Sequence, residues 1–197
     1  MIFDAMKLIK DDLQQYILDA EGSTSNDQIV ILENIAMAQD LGGNSDNQNE
    51  RVVMTLVNLQ EEVTLKNSAY HRLENGRTVY RNPPTFLNLF ILFSVLHSGQ
   101  YETALKRLSR VIEFFQWKKE LSIITAPSQN NPAQEVQIFM DLFSLTFEQQ
   151  NYLWGSLGGK QVPFVLYRSR LVTLDAGKRQ GEGQPITEIQ IDTNRRG

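Results

Sequence analysis

Two histidines, His71 and His97, and no cysteine are all the imidazole and thiol groups in a chain of 197 residues. Thiolate zinc sites and disulfides are excluded, and too few ligands remain for an imidazole-rich metal centre. Each histidine stands alone in the sequence, His71 in a candidate hairpin and His97 at a candidate strand end, where a structural role is the simpler reading. Glu61 and Glu62 could form a carboxylate pair, but adjacent residues of a strand point to opposite faces and cannot share a proton or a metal unaided. The densest glycine pattern, Gly155-Ser156-Leu157-Gly158-Gly159, follows a helical stretch. A dinucleotide site wants its glycines after a strand and opening a helix, so these are read as a helix stop. The residues with chemistry in them thus point away from an enzyme, and no cofactor or metal is expected. Two other readings stay open: a small-molecule or regulatory binding module with a pocket near Trp154, Tyr167 and Arg168, and, ranked last, a hydrolase built on His71 or His97 with Glu61.

Those side chains need a scaffold, and length and composition bound it. At roughly 150 residues per domain the chain holds one domain with a mobile end or long loops. A mass of 22.6 kDa suffices to bury a sizeable apolar core. Lys and Arg number 19 against 23 Asp and Glu, a net charge of -4. No bulk positive field exists to hold a phosphate backbone, so nucleic acid is not expected as a partner. Neither is a membrane, because no apolar run approaches the ~18 residues of a span, and the N-terminus reads as lacking a signal peptide.

Hydrophobic spacing then places the elements. Ile2, Met6, Ile9, Leu13, Ile17 and Ala20 fall at steps of three and four, an amphipathic opening helix that Gly22 can end. Gln28 to Leu32 is short and β-branched and reads as a strand, whereas Gln39 to Glu50 carries almost no apolar side chain and reads as a surface loop. Val52 to Leu59 crowds both faces of an extended segment, as a doubly covered strand would. Asn75-Gly76 is the strongest short hairpin signal, and a type I′ turn there sets Glu74 opposite Arg77 and His71 opposite Tyr80. Phe86 to Leu96 reads as a strand after Pro83-Pro84. A helix follows over Tyr101 to Trp117, with Ala104, Leu105, Leu108, Val111, Ile112 and Phe115 on its apolar stripe. Val136 to Leu145 is the next strand. Thr146-Phe147-Glu148-Gln149 matches a capping box for a short third helix, stopped at Gly158-Gly159, and Val165 to Leu174 is a further strand. Ala176 to Pro185 reads as a flexible tether to a last strand, Ile186 to Ile191. The expected class is α+β, a mainly antiparallel sheet flanked by three helices, with a projecting β-hairpin and an extended C-terminal strand. Its parts are a domain over 1–175, the tether over 176–185 and the strand and tail over 186–197.

Surface suited to protein contact is the other product of this reading. On the second helix Phe114 and Trp117 fall off the apolar stripe, beside Arg107 and Arg110, a mixture of types common at interface hot spots. Trp117 folding over its own helix end is the competing account. The hairpin adds Tyr70, Arg72, Asn75, Gly76 and Arg77 on an arm that a minimal monomer has little use for. Ile186, Ile189 and Ile191 form the third candidate contact, as a strand pairing with another chain or back into its own sheet.

The ordered stretches Leu56-Val57-Asn58-Leu59-Gln60-Glu61-Glu62, Asn82-Pro83-Pro84-Thr85-Phe86-Leu87-Asn88-Leu89, Ala104-Leu105-Lys106-Arg107-Leu108, Phe114-Phe115-Gln116, Phe147 to Gly158 and Leu166-Tyr167-Arg168 resemble the cap, or tail-terminator, proteins of extracellular contractile injection systems. These are phage-tail-like particles, and the resemblance runs from residue 1 to about 175. It implies a non-enzymatic homo-hexamer seated on the inner-tube and sheath proteins at the baseplate-distal end, halting their growth and joining them. The assembly would be cytoplasmic, within a particle that is later released or anchored. Longer members of the family carry an additional C-terminal domain, whose role is not transferred. The resemblance brings no catalytic residues with it. A terminator must also hold the sheath through contraction, and strand addition by Ile186 to Ile191 is the expected link.

Overall fold

The computed structural model describes residues 2–22, 28–37, 51–62, 71–74, 77–80, 85–96, 101–125, 134–174 and 181–183. Strand β5 (Thr85–Val95) is its axis. Leu89, Ile91, Phe93 and Val95 point into one apolar cluster, while Phe90 and Leu92 point into another. A strand with apolar residues at both parities has no polar side to give to water, so both faces of the sheet around it must be covered. The flanking strands β2 (Val52–Glu61) and β8 (Phe164–Leu174) pair antiparallel with it on either side. β7 (Gln134–Leu142) and β6 (Glu120–Thr125) extend the sheet beyond β8, and the short β1 (Val30–Leu32) joins β2 in parallel, giving the order β1-β2-β5-β8-β7-β6. A second sheet holds the hairpin strands β3 (His71–Glu74) and β4 (Arg77–Tyr80) with β9 (Gly181–Gly183).

Helices α1 (Ile2–Glu21) and α2 (Tyr101–Trp117) cover one sheet face, and α3 (Phe147–Ser156) covers part of the other through Trp154, Leu153 and Leu157. A further helical turn stands at residues 35–37. No helix among the described residues is long and apolar enough to cross a membrane.

The α+β class and the mainly antiparallel sheet agree with the sequence reading. So does the hairpin register, with His71 opposite Tyr80 and Glu74 opposite Arg77. The capping box is formed: Gln149 N donates to Thr146 Oγ1 at 3.3 Å, and Thr146 N donates to Gln149 Oε1 at 3.1 Å. Gly158 and Gly159 take φ of 101° and 80°, a backbone that a side chain resists, so α3 stops where the glycines allow it.

Polar side chains stitch the edge strand on. Gln14 Oε1 accepts from the amides of Ile29 and Val30, at 3.0 and 2.7 Å, tying α1 to the entry of β1. Thr55 Oγ1 donates to the Glu33 carbonyl at 2.6 Å and accepts from Ile35 N at 3.0 Å, which satisfies backbone groups just beyond β1. Further along β2, a register shift between Leu56 and Asn58 inserts Val57, and the strand becomes exposed from Asn58 onward.

Two expectations are corrected, and one strand is new. β6 received no element in the sequence reading; β7 supplies its partner, with Leu121 opposite Ile138. Gly181–Gly183, placed in the tether, forms β9 against β4. Most consequentially, Phe114 is not on the surface. It is 1% exposed, 5.4 Å from the Tyr16 ring and 4.9 Å from Phe115, whereas Leu105 and Ile112 are exposed. The physical reason is that α2 packs against two things. Ala104, Val111 and Phe115 meet the sheet, Phe114 meets α1, and the buried arc is rotated from the stripe that one partner would select. Lys118 reaches Asp12 at 2.7 Å and Arg107 reaches Glu21 at 3.3 Å, closing the seam between the two helices.

Phe114→Ala is expected to cost ~3–5 kcal/mol in denaturant unfolding because it leaves a cavity between α1 and α2, whereas Trp117→Ala on the same helix costs under about 1 kcal/mol. Equal costs would contradict the rotated packing. Burial also raises the Tyr167 hydroxyl from its ordinary 10.0 to about 12. The folded state thus favours the neutral phenol, and that contribution is whole below pH 10 and lost as pH rises toward 12. A stability profile in alkali should show a decline over this window that Tyr167→Phe lacks.

Candidate interaction surface

Trp117 is 73% exposed at the end of α2, with its ring 6.0 Å from Tyr16 in a stacked arrangement and 6.3 Å from Phe114. One face of the indole therefore covers the end of the α1–α2 seam while much of the ring stays in water, so both accounts of this residue describe part of it. Seven residues earlier, two helical turns, Arg110 lies on the same side of α2, 2.7 Å from Glu113. Arg107 is mostly buried by its bond to Glu21. Of the four residues expected to form an aromatic and arginine patch, Arg110 and Trp117 remain available, Arg107 is engaged in the helix seam, and Phe114 is core.

For the hairpin, β3 and β4 place Arg72 opposite Val79 and Arg77 opposite Glu74. Tyr70, Asn75 and Gly76 lie outside the described residues, as do Ile186, Ile189 and Ile191.

The expected pocket around Trp154, Tyr167 and Arg168 does not form as one site. Alternation along β8 sends Leu166 to the face where Trp154 packs on Phe164, ring centroids 5.3 Å apart, and Tyr167 to the opposite face against Phe93 and Phe115. Arg168 and Arg170 share the face of Leu166 and flank Asp141 at 3.6 and 3.1 Å, with Arg170 lying 5.8 Å over the Phe139 ring. Nearby, Asn88 Nδ2 donates to Glu62 Oε2 at 2.9 Å. Glu61, paired with Leu87, belongs to the other face, so the two glutamates diverge as adjacent strand residues must. His97 lies outside the described residues. Among the described residues no group of three metal-ligating side chains comes together.

Two features were not found from the sequence. Phe147 and Tyr152, 89% and 70% exposed, stand on the outer side of α3, visible in advance only as apolar residues off the Trp154 line. The second is a cleft of about 280 Å³ between the end of α2 and the end of β7, lined by Ile112, Phe115, Gln116, Lys119, Met140, Asp141, Leu142 and Tyr167. It falls below the ~300–1,000 Å³ typical of small-molecule sites and is open, so it suits a single inserted side chain better than an enclosed ligand. No local sequence signal could find it, because α2 and β7 meet only through the fold.

The whole described architecture has counterparts. It is similar to the sheath/tube terminator of the PVC extracellular contractile injection system in its extended state, with a TM-score of 0.65 and 15% identity over 100% of this chain and 64% of that one. It is likewise similar to the tube-terminating cap of the anti-feeding prophage, with a TM-score of 0.63 and 12% identity over 98% of this chain and 61% of that one. The chain thus spans less than two thirds of either structure, and at these identities the likeness is one of fold. No curated protein matches the sequence. The model of the Pvc16 N-terminal domain matches residues 5–188, nearly the full length, and the chain belongs to that family.

Proposed function

We propose that this protein is a structural cap that ends the growth of an inner tube and its contractile sheath and holds the two together, acting as a homo-hexameric ring and without catalysis. The observation that carries the reading is the fold, shared over essentially the whole chain with one structure described as a sheath/tube terminator and another described as a tube-terminating cap. Family membership over residues 5–188 agrees with it.

The physics of termination favours a ring. Head-to-tail subunit contacts generate open helical polymers, and a polymer stops when a closed ring copies the complementary face on one side and offers no acceptor on the other. Such a protein acts by shape and needs no activated nucleophile. Exposed Trp117 with Arg110, the second sheet, and Phe147 with Tyr152 on α3 are the contact surfaces available for neighbours, tube or sheath. Assembly inside the producing cell, as part of a phage-tail-like particle, belongs to the same proposal.

Removing the gene from a cell that builds the complete particle should yield overlong tubes with ragged ends in electron micrographs. Particles of normal length with intact tips in its absence would refute the cap. In solution or on tube ends, a mass corresponding to six copies is the expected stoichiometry.

A further inference from the structure

The cleft between the end of α2 and the end of β7 is an apolar hollow with a single charge at its rim. Ile112, Phe115, Met140, Leu142 and Tyr167 wall it, with Ile112 and Leu142 38% and 56% exposed. Its volume of about 280 Å³ exceeds the ~150 Å³ that accommodates a benzene-sized ring, so one aromatic side chain fits. Lys119 stands exposed at the rim, and among the described residues no carboxylate pairs with its ammonium. Asp141 also borders the cleft, but strand alternation turns its carboxylate to the opposite sheet face, where Arg168 and Arg170 hold it at 3.6 and 3.1 Å. The hollow is therefore complementary to an aromatic group with a negative charge beside it.

That combination stands elsewhere on the same chain. Phe147, at 89%, is the most exposed large apolar side chain among the described residues, and Glu148, also exposed, follows it. Trp117 and Tyr152, the next most exposed, each have a local contact: Trp117 stacks on Tyr16, and the Tyr152 hydroxyl donates to Glu148 at 3.4 Å. Phe147 cannot enter the cleft of its own chain. It opens α3, on the sheet face opposite to α2, and that turn is held by the reciprocal bonds between Thr146 and Gln149 and by the 2.8 Å bond from Phe143 N to the Leu166 carbonyl. We infer that the cleft of one copy receives Phe147 of a second copy, and that Glu148 of the second copy pairs with Lys119. The cleft and the projecting ring lie at different places on one chain, so the contact is head-to-tail: each copy both gives and receives, and the series closes into a ring when the rotation per copy divides the circle. This inference rests on the proposed ring and supplies one of its links; a tube or sheath residue in the cleft is an outcome of the test.

The absence of native cysteines permits a direct experiment. Complete particles are assembled from equal amounts of two full-length chains, one tagged and carrying Glu148→Cys, the other carrying Lys119→Cys, and then oxidised. Both positions are exposed, so neither change disturbs the core. A covalent dimer joining the two chains is expected, and using Ser156→Cys, at the other end of α3, in place of Glu148→Cys should abolish it. Phe147→Ala should raise the concentration of this protein needed to occupy half of the tube ends by ~10-fold or more, as loss of a buried phenyl ring from each contact requires. The assignment is overturned by a link to the sheath or tube protein, by a link within one chain when both cysteines are placed on it, by no link in particles with normal ends, or by an unchanged requirement for Phe147→Ala. Each of these leaves the cap reading intact, because that reading fails only if particles form normally when the chain is missing.

Discussion

The fold is organised by the requirement that β5 be dry on both sides. Each apolar side chain on its two faces contributes stability only if something covers it, at ~25 cal/mol per Å² removed from water. Leu89, Ile91, Phe93 and Val95 are covered by α1 and α2, and Phe90 and Leu92 by α3 and the segments around it. The sheet thereby becomes the middle layer of three, and functions that need exposed sheet face are confined to where the covering helices end. The Arg168, Asp141 and Arg170 group stands in such a place, partly exposed on the face that α3 covers only in part.

The two helices on the larger face are coupled as well as parallel in purpose. Tyr16 on α1 touches both Phe114 and Trp117 of α2, and the Asp12–Lys118 and Glu21–Arg107 pairs lie along the same seam. Partly exposed ion pairs of this kind contribute little by themselves and act mainly to fix register. Phe114 carries most of the seam's energy, because its ring is 1% exposed, whereas the Trp117 ring stays largely in water. A helix held from two sides keeps its outer surface in a constant position.

Charged side chains pair along the helix seam at Asp12–Lys118 and Glu21–Arg107 and on the sheet face at Asp141 with Arg168 and Arg170, and Tyr167, the buried phenol, is held neutral by desolvation among Phe93 and Phe115. The fold leaves aromatic surface exposed at Trp117, Phe147 and Tyr152, and β9 joins the hairpin in a second sheet.

Elements with a strong local cause were legible from residues alone. α1 and α2 follow from apolar spacing, the β3–β4 register from Asn75-Gly76, the start of α3 from Thr146 and Gln149, and its end from Gly158-Gly159. In all of these, the deciding interaction joins residues within a few positions of each other. β6 went unread although Ile123, Ile124 and Thr125 are β-branched, because the segment follows α2 after only two residues and its partner β7 comes only after residues 126–133, and β9 went unread because Gly181-Glu182-Gly183 has no apolar face to announce it. Tertiary structure decided which arc of α2 is inside, putting Phe114 in the core, and it separated Trp154 from Tyr167 onto opposite sheet faces while bringing Ile112 next to Leu142. Local spacing reports that a face is apolar, but which neighbour covers it depends on contacts between residues far apart in the chain, and the surfaces left over for partners are set by that packing.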